Sequence, residues 1–289
     1  MANLAFLGLG TMGYPMAGHL CGTGNQVQVW NRTAKTAQAW SEVHPGKVAN
    51  SAAEAVKGAD VVFTCLGDDP DVRDVVLPIL GRMKPGSILV DHTTTSANLA
   101  RELAIATQTH EIGFIDAPVS GGEAGALNGQ LTIMCGGKQA DFDTAQPIMQ
   151  CYAKAIKRMG EAGAGQLTKM VNQICIAGVV QGLAEGLNFA EKAGLDPVEV
   201  VAAIGQGAAQ SWQMDNRHQS MADGEFEFGF AVDWMRKDLR VTMEEAEANG
   251  APLPLTRLVD QFYQQVQEIG GARWDTSSLI ERLRRLDPS

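Results

Sequence analysis

The stretch that most constrains this chain is Gly8-Leu9-Gly10-Thr11-Met12-Gly13. The apolar run Leu4-Ala5-Phe6-Leu7 enters it, and Tyr14-Pro15-Met16-Ala17-Gly18-His19-Leu20 leaves it with helical spacing. Strand, glycine turn and helix, in that order, form the setting in which three glycines at this spacing hold a dinucleotide. Gly8 permits the tight turn, Gly10 lets the main chain approach a pyrophosphate, and Gly13 lets the helix pack close to the strand. The N–H groups at the helix start, with its dipole, favour a phosphate there. Leu9, Thr11 and Met12 complete this set of candidate cofactor-binding residues. The plain alternative is a tight strand-to-helix turn with no ligand.

Gln26-Val27-Gln28-Val29-Trp30 reads as the second strand and ends in Asn31-Arg32-Thr33, about 20 residues past the glycine turn. An acidic residue here would hold the ribose 2′-hydroxyl of NAD, and these three positions carry none. Asn31, the guanidinium of Arg32 and the hydroxyl of Thr33 suit a 2′-phosphate instead. NADP is therefore the expected cofactor, with NAD use left open. The competing view of Arg32 is a solvated residue at the entry to a helix.

The α/β alternation continues. Ala34 to Trp40 reads as a helix, Val48-Ala49 as a short strand, and Ser51 to Ala55 as a capped helix. Asp60 to Leu66 is an apolar strand of the parallel type, followed by the turn Gly67-Asp68-Asp69-Pro70. Ser87 to Asp91 is the next strand, with His92-Thr93-Thr94-Thr95-Ser96 the loop at its carboxyl end. Ligands of doubly wound sheets sit at those ends, which makes Leu66 and Thr94 candidates to line the cofactor. Helix capping is the equal rival for Thr94. Phe114-Ile115-Asp116 and Leu131 to Cys135 are further strands, and beyond Met159 the strand pattern stops. Gln166 to about Lys192 reads as one helix, roughly 40 Å long and so able to span two lobes. Gly178, Gly182 and Gly186 form a stripe along it that another helix can approach. Helices follow from Asp196-Pro197 and over roughly 233–249 and 254–268. The expected architecture is α/β: a Rossmann-type doubly wound sheet domain over 1–162, a domain-spanning helix over 163–192, and an all-α C-terminal domain over 193–289.

Three stretches carry candidate chemistry. Ser120-Gly121-Gly122 can aim main-chain N–H groups and a hydroxyl into a concavity, a way to hold a carboxylate without a full positive charge; an ordinary crossover loop is the even alternative. Lys169, Asn172 and Gln173 share one helix face by their spacing. A lysine one turn into a helix, in a dry cleft, has its pKa lowered toward the range useful for proton transfer. Taken from that turn alone, a surface lysine beside a polar cap is the plainer reading. Lys237 and Asp238, after the aromatic loop Phe226 to Phe230, either close a cleft or form a surface ion pair of little worth.

A net charge of −10 over 289 residues argues against nucleic acid as a partner. The run Arg282-Leu283-Arg284-Arg285 is expected to be the solvated end of a helix. The five cysteines show no C-x-x-C pair and read as buried small residues in a reducing cytosol. The five histidines lack metal-ligand spacing, so no metal is expected. The N-terminus carries no basic leader, and the longest apolar stretch, Ile174 to Val180, is too short to span a bilayer. A cytoplasmic protein without a membrane partner is expected.

Taken together, these residues resemble the β-hydroxyacid dehydrogenase family, which includes 3-hydroxyisobutyrate dehydrogenases, tartronate semialdehyde reductases and glyoxylate/succinic semialdehyde reductases. The resemblance runs end to end. Gly8 to Gly13 with Pro15-Met16-Ala17 is similar to the N-terminal signature, and Asp116-Ala117-Pro118-Val119-Ser120-Gly121-Gly122 to the substrate-binding motif. Gly163-Ala164-Gly165 through Lys169-Met170-Val171-Asn172-Gln173 is similar to the catalytic motif, and Lys237-Asp238-Leu239 to a late motif that closes over the cofactor. The resemblance implies Lys169 as general acid/base assisted by Asn172, and Ser120, Gly121 and Gly122 on the substrate carboxylate. It places Lys237 and Phe230 on the nicotinamide side, Thr94 near the ribose, and the protein in a homodimer or homotetramer. The substrate implied is a small β-hydroxy acid or semialdehyde. Two departures stand out: Leu66-Gly67-Asp68 lacks the family's proline, and the loop Asp91 to Ala97 lacks the proline common after its serine. Two other readings stay open. One is an imine reductase-like enzyme, against which Lys169 speaks; the other is a non-catalytic NADP-binding assembly module.

Overall fold

The computed structural model describes residues 1–285. The chain divides into two compact units, Met1–Lys169 and Met170–Ser289.

In the first unit β1 (Asn3–Leu7) leads through the glycine turn into α1 (Gly13–Gly22), then β2 (Gln26–Trp30), α2 (Ala34–Val43), β3 (Lys47–Val48) and α3 (Ala52–Ala55). There follow β4 (Val61–Thr64), α4 (Asp69–Val76) with a 3-10 turn to Arg82, β5 (Ile88–Asp91), α5 (Ala97–Gln108) and β6 (Gly113–Asp116). The unit continues with β7 (Val119–Ser120), α6 (Gly122–Leu127), β8 (Leu131–Gly137), α7 (Gln139–Met149) and β9 (Ala153–Gly160), and ends in the first turns of α8 (Ala164–Lys192). The strands form one sheet in the order β3-β2-β1-β4-β5-β6-β8-β7, with β9 against β8. From β3 to β6 every pairing is parallel; β8 runs antiparallel to β6 and β7. The order reverses between β1 and β4, the switch point at which such sheets open a crevice outside their carboxyl ends.

Helices cover both faces because the parallel strands are apolar on both. Leu4, Phe6, Val61 and Phe63 pack on one side with Met16 and Leu20 of α1, Trp40 of α2 and Phe142 and Met149 of α7. Ala5, Leu7, Val62 and Leu89 pack on the other with Val72 and Val76 of α4 and Leu99 and Leu103 of α5. The edge strand β9, which was not anticipated, is polar and half exposed along Lys154-Ala155-Ile156-Lys157-Arg158. Its pairing with β8, rather than any apolar signal, makes it a strand.

The second unit is helical: the rest of α8, then α9 (Pro197–Ile204), α10 (Trp212–Asp223), α11 (Val232–Asn249), α12 (Pro254–Glu268) and α13 (Leu279–Arg285). Its core gathers Ala177, Val180, Ala184 and Leu187 of α8, Met221 of α10, Met235 and Leu239 of α11, Val259 and Tyr263 of α12, and Leu279 and Ile280.

By length and composition α8 is apolar enough to cross a membrane, although Ile174 to Val180 alone is too short; Ala177, Val180, Ala184 and Leu187 of the helix pack in the helical core just described. Three expectations change here. Of the glycine stripe, only Gly178 is approached, by Leu255 of α12, while Gly182 and Gly186 face open space. Cys21 and Cys135 are buried, but Cys175 is exposed because it falls on the face of α8 shared by the exposed Val171 and Val179. The basic run of α13 is engaged: Arg282 lies 3.8 Å from the Phe262 ring centroid, Arg284 pairs with Glu191, and Arg285 lies 2.8 Å from Glu281.

Candidate active site

The glycine turn sits at the switch point because glycine is required there. Gly8 has φ +97°, and a Cβ on it would lie 2.3 Å from the carbonyl oxygen of Cys65 at the end of β4. A Cβ on Gly13 would lie 2.0 Å from the Gly8 carbonyl oxygen, so this glycine lets α1 close on β1. A Cβ on Gly10 would meet nothing within 4 Å. Packing among the described residues therefore does not account for that glycine, whereas close approach of a pyrophosphate does. Met12, at the start of α1, supplies no side-chain cap. The N–H groups of Tyr14 and Met16 go to the carbonyls of Gly10 and Met12, and the positive end of the helix dipole at the glycine turn favours an anion there. These residues fit a dinucleotide.

Around the turn, three strand ends are tied together. Asn31 accepts the N–H of Leu9 at 2.9 Å and donates to the Thr33 carbonyl at 3.1 Å, so it clasps the end of β2 to the glycine turn. Arg32 is mostly exposed and pairs with Asp71 of α4 at 2.9 Å. The N–H of Leu66 donates to the hydroxyl of Thr93 at 2.9 Å, while its side chain crowds the Gly8 position. The tripeptide Leu66-Gly67-Asp68, which lacks the family's proline, leads into an acidic turn. Asp68 caps α4, Asp69 accepts from the N–H and hydroxyl of Ser96, and Asp71 accepts the Asp68 N–H. Ser96 itself caps α5, accepting the Leu99 N–H at 3.0 Å, so that role does not fall to Thr94.

The segment that ends β6 is held by buried polar groups. Asp116 accepts the N–H of Gly163 at 2.8 Å on one oxygen and that of Gln166 at 2.9 Å on the other. It thus closes the N-terminus of α8 from a different element, where the dipole favours a carboxylate. Burial pushes its pKa up to about 7, against the pull of those N–H bonds. Gln166 spends its amide on the neighbouring loop, donating to the Thr93 carbonyl and accepting the Thr95 N–H. His92, fully buried, donates from Nδ1 to the Ala117 carbonyl at 2.7 Å, which leaves Nε2 to accept the hydroxyl of Tyr152 at 3.0 Å. Burial lowers its pKa to about 4. Ser120 lies at the end of β7, and Gly121 and Gly122 turn the chain into α6 with φ +133° and +62°, in the left-handed half of backbone space.

Gly165 lays the first turn of α8 on this framework. A Cβ there would lie 2.5 Å from the Met134 carbonyl oxygen and 2.6 Å from that of Asp116. Lys169 is one turn further along the same face and is buried, with 7 % of its surface exposed. That excludes the plain surface-lysine reading.

In the helical unit a second polar chain forms. Asn172 donates to Gln173 at 2.8 Å, Gln173 donates to Asp238 at 2.7 Å, and Asp238 pairs with Lys237 at 2.9 Å. The pair is buried, with side chains 11 % and 2 % exposed, so it is no surface ornament. Phe230, partly buried, donates its N–H to Asp275 at 2.9 Å. Asp275 also accepts from Ser277 and pairs with Arg217, whose guanidinium lies 4.9 Å from both the Trp212 and Phe228 ring centroids.

Sequence reasoning did not assign roles to Gln166, His92, Tyr152, Asp71 or Asp275. A signal existed for one of them: Gln166 sits in the first turn of a long helix with a glycine on each side of Ala164. The others meet the partners that place them in the site across 25 or more residues.

Comparison with known proteins places these features in context. Residues 3–160 match the family model described as the NAD binding domain of 6-phosphogluconate dehydrogenase. Residues 163–283 match the one described as NAD-binding of NADP-dependent 3-hydroxyisobutyrate dehydrogenase. An uncharacterized oxidoreductase of Shewanella frigidimarina is 57 % identical over 99 % of both chains. The 2-hydroxy-3-oxopropionate reductase of Escherichia coli is 34 % identical over 97 % of both. The structure of Mycobacterium tuberculosis 3-hydroxyisobutyrate dehydrogenase with L-serine superposes with a TM-score of 0.89 at 34 % identity, over 98 % of this chain and 99 % of that one.

Proposed function

The chain belongs to the β-hydroxyacid dehydrogenase family of NAD(P)-dependent oxidoreductases, and from that premise we propose that it interconverts a small β-hydroxy acid and the matching semialdehyde, with Lys169 as general acid/base. The bound nicotinamide supplies or accepts the hydride. Ser120, Gly121 and Gly122 hold the substrate carboxylate through main-chain N–H groups and one hydroxyl. Lys169 Nζ gives its proton to the carbonyl oxygen in reduction and takes it back from the hydroxyl in oxidation. Asn172 orients that exchange, Gly8 to Gly13 with Leu66 and Thr94 hold the dinucleotide, and Phe230 and Lys237 reach its nicotinamide end. Asn31, Arg32 and Thr33 face the adenosine ribose, and the guanidinium favours NADP over NAD. The exposed Val171, Val179 and Phe189, on one face of α8, support a homo-oligomer.

The observation that carries the reading is the seating of α8. Asp116 and Gln166 bind the loops bearing Ser120 and Thr94 to the helix turn that precedes a buried lysine. Lys169→Ala tests it. Turnover of glyoxylate, succinic semialdehyde or tartronate semialdehyde with NADPH should fall by about 10²- to 10⁴-fold, while NADPH binding, read by fluorescence, persists. An unchanged rate removes Lys169 from the mechanism.

A further inference from the structure

We propose that Asp71 sets how strongly this protein prefers a 2′-phosphorylated cofactor, by holding Arg32 in an ion pair that the phosphate must break. The inference rests on the reading of Arg32 as the group facing the adenosine 2′ position. The end of β2 carries no acid of its own, yet the fold delivers one from α4: Asp71 Oδ1 accepts Arg32 at 2.9 Å. Asp71 is not free to turn away, because its second oxygen accepts the Asp68 N–H as part of the cap of α4. Asp69, two residues before it, is fixed to Ser96, so the whole acidic turn is anchored. Arg32 is the more exposed partner and the one with room to re-aim, its side chain 84 % exposed against 37 % for Asp71.

Charge accounting then separates the two cofactors. With a 2′-hydroxyl the Arg32–Asp71 pair stays intact and the locality is neutral. A 2′-phosphate gains a bidentate guanidinium contact but must draw Arg32 off Asp71 to do so. The pair is therefore a brake on NADP selectivity. Its size is that of an exposed ion pair, a few-fold in affinity rather than orders of magnitude.

The test uses the full-length protein and calorimetric binding of 2′,5′-ADP and 5′-AMP, which report the adenosine end without turnover. Asp71→Asn keeps an oxygen to accept the Asp68 N–H and removes only the charge. It should tighten 2′,5′-ADP by about two- to fivefold and leave 5′-AMP unchanged. Glu102→Gln removes the same charge from the separate Arg73–Glu102 pair and should change neither ligand. In an Arg32→Ala background, Asp71→Asn should lose most of its gain. An unchanged 2′,5′-ADP affinity in Asp71→Asn overturns the proposal. So does an equal tightening of both ligands, or a gain that survives intact without Arg32. Should Arg32→Ala alone fail to weaken 2′,5′-ADP, the cofactor reading itself falls; should it weaken the ligand while Asp71→Asn does nothing, only the role of Asp71 does.

Discussion

In the α/β unit the buried carboxylate of Asp116 is held by main-chain N–H groups of Gly163 and Gln166, whereas in the helical unit the buried carboxylates of Asp238 and Asp275 lie against cations, Lys237 and Arg217. The same contrast runs through their neighbours. His92 is wired as a neutral imidazole between a carbonyl and a hydroxyl, and Gln166 satisfies a loop with an uncharged amide. In the helical unit Arg236 pairs with Asp260 and Arg284 with Glu191. The difference follows from architecture. Strand ends and a helix N-terminus expose main-chain donors that a single carboxylate can satisfy. Asp238, between long helices whose own N–H groups are spent, draws on the side chains of Gln173 and Lys237, while Asp275 takes the N–H groups of Phe230 and Ser277 together with the Arg217 guanidinium.

The comparison can be broken most directly at Asp275. Asp275→Ala leaves Arg217 without its carboxylate and the N–H groups of Phe230 and Ser277 without theirs. A loss of about 3 kcal/mol in urea-unfolding stability is expected, and a loss below about 1 kcal/mol would show that the cation is not needed there.

The neutral wiring of the α/β unit is sharpened by pH. His92 is held near pH 4, below its ordinary 6.5, so its contribution is complete above pH 6.5 and drains away as the pH falls toward 4. Linkage bounds this at about 3 kcal/mol. Asp116, raised to about 7, works in the opposite sense and favours the folded state as pH falls through 7 toward 4. It is common to wild type and variant, so the difference between them isolates the histidine. His92→Gln should lose about 2 kcal/mol less stability than wild type between pH 7 and 4.5, and parallel profiles would contradict a buried neutral imidazole.

Glycines extend the contrast to smaller effects. Gly165→Ala drives a Cβ into two carbonyl oxygens and should cost about 2 kcal/mol, with a fall in turnover because Lys169 shifts with its helix. Gly182→Ala, on the same helix but in the other unit, meets nothing within 4 Å and should stabilise by about 0.5–1 kcal/mol. Thermal melts of the two variants moving the same way would dissolve the distinction.

Much of the fold was legible in residue patterns. β2, spanning Gln26–Trp30, coincides with its alternating run, and α12 over Pro254–Glu268 with the reading of 254–268. α5 and α7 were not read: α5 mixes Ala, Thr and polar residues, and α7 carries Pro147 within it. β9 was missed because an edge strand needs no apolar stripe. Among the candidate site residues, Gly8 and Gly13 announced themselves by spacing, whereas Lys169 stood out only through the family resemblance. Asp71 did neither, because its meaning depends on Arg32, 39 positions earlier.

The sequence by itself determined the glycine turn, the alternation that lays helices on both faces of a parallel sheet, and the switch to an all-helical second half. Those depend on local backbone freedom and on periodicity, both of which a linear text records. Only the tertiary structure decided which donor each buried acid would receive, and that an acid from α4 would reach the arginine at the end of β2. Such pairings form between segments far apart in the chain, where geometry, not neighbourhood, selects the partner.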